Sequence, residues 1–229
     1  MIHDLPAVPG AYLQAGFILL SLAMIAGFGY VTRSKLSYLV GMVWAAICAL
    51  IGYSGVLADF STVPPRIMLL FLVMVGGIVF LAFSRFGARL SNLSLTLIVG
   101  FQAFRILVEI LIHQAVTEGV APPQMTWTGL NLDIFTGISA LILIPIAKKL
   151  PVAVLHVWNL AGFGLLATVV TVAILSMPTA FQQMKPDNVW VAYFPFIWLP
   201  TILVAFALLG HLVLFRKLKA LAGQKEDSA

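Results

Sequence analysis

Gln102, Arg105, Glu109 and His113 interrupt a long apolar stretch at spacings of three and four residues, which on a helix places all four on one face. A charge at the centre of a bilayer costs about 2.5 to 3.5 kcal/mol on insertion scales, so a chain keeps one there only with a partner or a task. Arg105 and Glu109 stand at i and i+4, where the two side chains can meet on the helix surface with Gln102 beside the guanidinium, a self-neutralised pair that locks packing. The functional alternative is a group facing a cavity that binds an anion, carries a proton or orients a substrate. Glu109 and His113 repeat the i, i+4 spacing of a carboxylate and imidazole metal pair, but two ligands do not complete a site and no metal is expected.

Other polar residues extend the candidate set. Asn131 and Asp133 stand where a later apolar segment begins, and with Glu109 and His113 they would form the rim of an outward-facing pocket, with Pro122 to Leu132 as its lid. The substrate-binding candidates are thus Arg105, Glu109, Gln102, His113, Asn131, Asp133 and Trp198. Toward the opposite end, His156 and Asn159 on one segment and His211 on another fall at similar depth. Two such histidines could ligate haem or a metal, or each could simply donate to a carbonyl; no cofactor is expected.

The elements that position these groups follow from composition. The 229 residues are 62% hydrophobic and 9% charged, with a mean hydropathy of +1.08, values that a water-soluble domain does not reach. The partner this composition demands is the lipid bilayer. The apolar residues fall into blocks near the roughly 20 residues needed to cross its hydrocarbon core. They predict one membrane domain, an all-α bundle of seven transmembrane helices at about 12–31, 36–58, 67–83, 93–116, 132–147, 152–177 and 191–215. Arg85 and Arg89 would flank a return turn, and Pro200 would kink the seventh helix and free a carbonyl.

Charge sets an orientation. Alternate connections collect Arg33, Lys35, Arg85, Arg89, Lys148, Lys149, Arg216, Lys217, Lys219 and Lys225 on one side, against Arg66 and Lys185 with five acidic residues on the other. By the positive-inside rule the C-terminus is cytoplasmic and the N-terminus outside. Arg105 would then lie about 18 Å in from the cytoplasmic boundary and Glu109 about 24 Å, with His113 near the outer one. Trp127 and Trp190 fit interfacial anchors.

Several classes drop out. The net charge of +5 sits in short clusters between spans, not in a stripe with exposed aromatics, so no nucleic acid is expected. The single cysteine, Cys48, forms no intrachain disulfide and reads as a small buried residue. Met1 to Pro6 lacks the basic start of a signal peptide, so the first block is expected to remain a span, and no lipidation motif stands at either end. A match of Val43-Trp44 with Val157-Trp158 is thin support for an internal repeat. Walker A, His-Glu-x-x-His and Gly-x-Ser-x-Gly motifs are absent.

Phe104 to Glu109, Met125 to Ile134 and Tyr193 to Pro200, with Trp158-Asn159, Leu175 to Thr179 and His211, resemble an uncharacterised family of bacterial seven-span integral membrane proteins. The resemblance covers roughly the C-terminal half. It implies a bacterial cytoplasmic-membrane location and carries no catalytic roles. The leading expectation is therefore binding or transport of a small polar or anionic solute, with Arg105 orienting it, Glu109 balancing charge or carrying a proton, and His113, Asn131 and Asp133 at the entrance. A membrane-embedded enzyme or redox protein using His156 and His211, and a sensor or assembly partner, are the alternatives.

Overall fold

In hydrocarbon every backbone N–H and C=O must find a partner within the protein, and apolar blocks of this length do so as helices. The structure, a computed structural model describing residues 3–226, is all-helical among those residues apart from turns and connections. Met1, Ile2 and the side chain of Lys225, which entered the leader and charge arguments, lie outside the described set. In chain order the helices are α1 (Ala11–Thr32), α2 (Lys35–Tyr53), α3 (Arg66–Phe83), the short α4 (Arg85–Ser91), α5 (Leu95–Thr117), α6 (Ile134–Leu143), α7 (Val152–Leu175) and α8 (Val204–Glu226), the last entered through a π-helical turn at Leu199–Leu203. Six of these segments are long and apolar enough to cross a membrane, and α6 is not. The chain is a multi-pass membrane protein.

Local chemistry sets the helix ends. Ser34, Ser84 and Ser94 cap α2, α4 and α5 by accepting from the N–H groups of Ser37, Phe86 and Leu97 at 3.1, 3.1 and 3.2 Å, and prolines 65 and 151 immediately precede α3 and α7. Midway along α8, Arg216 donates to the carbonyls of Ala82 and Ser84 at 2.9 and 3.0 Å, and Lys217 donates to that of Ser91 at 2.9 Å. These cations satisfy the last carbonyls of α3 and α4. Arg85 and Arg89 thus belong to a helix of their own rather than flanking a simple turn.

Two expected spans are changed in kind. The fifth, expected over 132–147, contains only the ten helical residues Ile134–Leu143, about 15 Å of rise and half a hydrocarbon core. It is short because it starts inside the bundle: Asp133 bonds Arg105, which lies at the midpoint of the 23-residue α5. Its far end leads to a 3₁₀ turn at Ala147–Lys149 that packs on the first turns of α5. The seventh, expected from Val191, has only a single 3₁₀ turn at Trp190–Ala192, becomes continuously helical at Leu199 and extends past Phe215 to Glu226. Pro200 therefore sits in an opening turn, where it breaks no ladder, instead of kinking a helix interior. Trp198 donates to the carbonyl of Ala45, halfway along α2, at 2.9 Å, so this helix too begins within the bundle.

Non-helical backbone at such depth is tolerated only where protein encloses it. Phe196 and Ile197, and Trp190 in the 3₁₀ turn before them, are fully buried, and Phe17 meets the rings of Trp190 and Phe196 edge-on with centroids 5.7 and 5.4 Å apart. Trp190 is therefore a core residue and not the interfacial anchor expected. The last helix is the axis of the molecule, with 67% of its apolar window buried against 17% for α1, α2 and α3. It packs on α3, α4, α5 and α7, while α6 wedges between α5 and α7.

The wedge depends on Gly137. A Cβ there would stand 2.8 Å from Cγ1 and 2.9 Å from the backbone nitrogen of Ile106, too close without displacing α6. Helix propensity alone would favour alanine by about 1 kcal/mol, but overpacking against backbone costs about 1 to 3 kcal/mol and outweighs it. Gly137→Ala is predicted to lower the thermal unfolding midpoint in detergent. An unchanged or raised midpoint would show that α6 is not closely seated.

Candidate functional site

Arg105 is 2% exposed and its partner is Asp133, not Glu109. Its Nε donates to Asp133 Oδ2 at 2.6 Å and its Nη2 donates to Oδ1, a side-on bidentate pair. The expected pairing with Glu109 fails for geometric reasons. A helical side chain leans toward its own N-terminus, which turns Arg105 away from the turn carrying Glu109, and a carboxylate presented edge-on from another element matches the planar guanidinium fork better. Asp133 stands where a helix cap would, yet makes no capping bond, because its carboxylate is spent on Arg105.

The third guanidinium nitrogen fixes a tautomer. Arg105 Nη1 lies 2.8 Å from His211 Nε2, and a guanidinium only donates, so Nε2 holds a lone pair. The ring proton therefore sits on Nδ1, which donates to Asn159 Oδ1 at 2.8 Å. Asn159 Nδ2 returns a bond of 3.1 Å to the carbonyl of His211. Asp133, Arg105, His211 and Asn159 form one hydrogen-bonded network across α5, α6, α7 and α8, with Arg105 donating in both directions. Gly162 makes room for it, since a Cβ there would come within 2.8 Å of both His211 Cε1 and Thr136 Cγ2.

Glu109, also 2% exposed, belongs to a different arrangement. Both its oxygens accept from Asn131 Nδ2 at 2.9 Å, and among the described residues no cationic side chain lies within ion-pair distance of it. Asn131 is held by the turn it stabilises: its Oδ1 accepts from the N–H of Asp133 at 3.0 Å, and its amide also donates to the carbonyl of Met125 at 2.9 Å. One short segment thus delivers an amide to Glu109 and a carboxylate to Arg105.

The remaining candidates separate from this centre. Gln102 donates to the carbonyl of Ala207 at 3.2 Å and takes no part in the guanidinium's bonding. His113 bonds Thr126 Oγ1 through Nδ1 at 3.1 Å and stacks on Trp127 at 4.2 Å and 18°, so it holds the Pro122 to Leu132 connection and lies away from the ion pair. That connection is pinned from its other side by Gln124, which donates to Ser176 Oγ at 3.0 Å and to the carbonyl of Pro186 at 2.7 Å. Asn131 and Asp133, expected at the rim, lie instead at mid-helix depth with Arg105 and Glu109. Trp198 faces α2 and is outside the site.

A cavity of about 80 Å³ opens beside the ion pair, walled by α3, α5, α7 and the start of α8. Among the described residues Arg105, Glu109 and Asp133 are the only polar side chains in a lining that is otherwise apolar, with Phe71, Ile112, Val169 and Leu203 among its walls. The haem or metal pairing of His156 with His211 is not realised. Both ring nitrogens of His211 are engaged, and His156 is separated from it by the rings of Phe215 and Phe163, each step about 6 Å. Among the described residues no three metal-ligating side chains gather. No known family model, curated protein or solved structure shows significant similarity to this chain.

Nothing in the sequence spacing joins His211 and Asn159 to Arg105. Depth counted along the backbone placed Arg105 well beyond them, whereas its long side chain reaches back toward them. The available signal was the coincidence of three polar interruptions in three apolar helices. Asn159→Leu is predicted to strand the His211 Nδ1 proton in the interior at a cost of about 1 to 3 kcal/mol. Nitrogen NMR of labelled protein should show His211 protonated on Nδ1 and not Nε2 in the wild type; the opposite tautomer would contradict the bond to Arg105.

Proposed function

We propose that this chain binds and carries a small polar solute across a bacterial cytoplasmic membrane, with the cavity beside Arg105 and Glu109 as the solute site. The observation that carries the reading is that two helices, α6 and the segment starting at Leu199, begin inside the bundle next to that cavity. Interrupted helices at the bilayer midplane are the hallmark of secondary-transporter binding sites, because irregular backbone at that depth is kept only where it lines a cavity or lies enclosed.

In this reading the chain crosses seven times, the fifth crossing being completed by the descending Thr126 to Asp133 connection and half-helix α6. Contacts between the ends support it. Gly10 bonds Glu118 and His3 bonds Ala58 at one end, while Arg216, Lys217 and the turn holding Lys148 and Lys149 gather with α3, α4 and the start of α5 at the other. The end rich in cations is the cytoplasmic one by the positive-inside rule, which puts the N-terminus outside. The family resemblance of the C-terminal half agrees with a bacterial inner membrane.

The geometry also narrows the solute. Asp133 already occupies the bidentate edge of Arg105 and sits at the N-terminus of α6, where an anionic solute group would otherwise be attracted. The carboxyl group without an ion-pair partner is that of Glu109, so Glu109 is the group that meets the solute or its coupled proton, and Arg105 holds the surrounding wall. An ammonium or amide donor on a compact apolar body fits such a site better than a carboxylate does.

Uptake into proteoliposomes tests this, with labelled methylammonium, guanidinium and small neutral amides set against small carboxylates. Glu109→Gln is expected to lower uptake of the transported member by about tenfold or more, the loss of one charge-assisted bond, while Glu109→Asp retains part of it. Uptake unchanged in Glu109→Gln, or a preference for the carboxylates that survives that change, would overturn the assignment.

A further inference from the structure

A second and larger cavity, about 890 Å³, runs along the side of the bundle between α2 and α3, with α1 and the Thr201 to Leu209 stretch as its floor. It exists because α2 packs chiefly on α1 while α3 packs on α8. Its walls are mostly apolar, but Arg33, at the end of α1, and Arg89, on α4, both line it. Both are exposed, and among the described residues neither guanidinium has a hydrogen-bond or ion-pair partner. Their neighbours Arg216 and Lys217, by contrast, are consumed by helix-end carbonyls.

Arg33 is held there at a cost. Its φ of 50° and ψ of 34° place it in the left-handed region as the cap of α1, a position where glycine is the default and other residues are strained. The cap itself uses only backbone groups, the N–H of Arg33 reaching Tyr30 and that of Ser34 reaching Gly29, each at 3.2 Å. The side chain adds nothing to the turn, so its value lies in what it presents to the groove.

We infer that this groove is a binding site for an anionic phospholipid, with the phosphate between Arg33 and Arg89 and the acyl chains lying between α2 and α3. The two unpaired cations beside an apolar slot on the side of a multi-pass bundle match a lipid's charge and shape together, as in basic pockets between transmembrane helices that hold anionic headgroups. The slot is in the size range of sites that enclose a ligand. A free phosphate would use the arginines and leave the slot unused.

Three variants separate headgroup from chains. Arg33→Gly removes one cation and relieves the left-handed strain, so the fold is kept; Arg89→Gln removes the other. Gly77→Leu fills the slot, since a Cβ at this groove residue meets no atom within 4 Å. Native mass spectrometry of the full chain in detergent, with phosphatidylglycerol and phosphatidylcholine at equal concentration, should show a retained phosphatidylglycerol. Each arginine change is expected to reduce it about fivefold, and Gly77→Leu is expected to reduce it as well. Equal retention of the two lipids, retention unaffected by both arginine changes, or equal competition by inorganic phosphate would overturn the site.

Discussion

A guanidinium in the middle of a hydrocarbon-spanning bundle has to be matched by a carboxylate, and in this protein that carboxylate comes from a different part of the chain. The Arg105 to Asp133 pair is the constraint on which the rest depends. Taking either charge alone out of water costs several kcal/mol, which only a well-formed partner in the interior offsets. To bring Asp133 to Arg105, the connection after α5 must descend to the middle of the bundle before α6 can begin. The half-length of α6, the close seat at Gly137 and the turn built on Asn131 all follow from that requirement.

The same pair determines what the cavity offers. A lone arginine facing an apolar pocket would recruit anions, but with its fork occupied by Asp133 and its third nitrogen on His211, Arg105 is a structural cation. Its positive charge is cancelled locally. Glu109 then dominates the wall, held by an amide and not by a cation. Buried polar groups are kept either to fix a unique packing or to meet a ligand; here Arg105 is paired within the fold and Glu109, one turn on, lies on the cavity wall.

Much of this architecture could be read in the sequence, and the places where it could not have physical causes. Blocks of apolar residues located α1, α3, α5 and α7 to within a residue or two at most ends, because a bilayer imposes one length scale on every crossing helix. The same reasoning overextended at α6 and at the start of the last helix. Hydropathy records which residues avoid water, and the enclosed 3₁₀ turn and loop from Trp190 to Trp198 are as apolar as a crossing helix. Arg105 and Glu109 were recognisable as a buried polar centre from type and spacing. Their mutual pairing was not borne out, since i, i+4 spacing describes proximity on a helix surface and says nothing of a competing carboxylate 28 residues away. Asn131 and Asp133 were identified as partners of the centre but placed too far out, and His211 was assigned to another cluster altogether.

A double-mutant cycle on the folding free energy in detergent discriminates between the two possible partners of Arg105. Arg105→Met is combined first with Asp133→Leu and then with Glu109→Leu. The structure predicts a coupling of about 2 to 4 kcal/mol with Asp133, because the paired removal leaves no orphaned charge whereas either single change does. Coupling with Glu109 should be smaller by at least about 1 kcal/mol. A larger coupling with Glu109 than with Asp133 would contradict the ion pair on which this description of the bundle and its cavity rests.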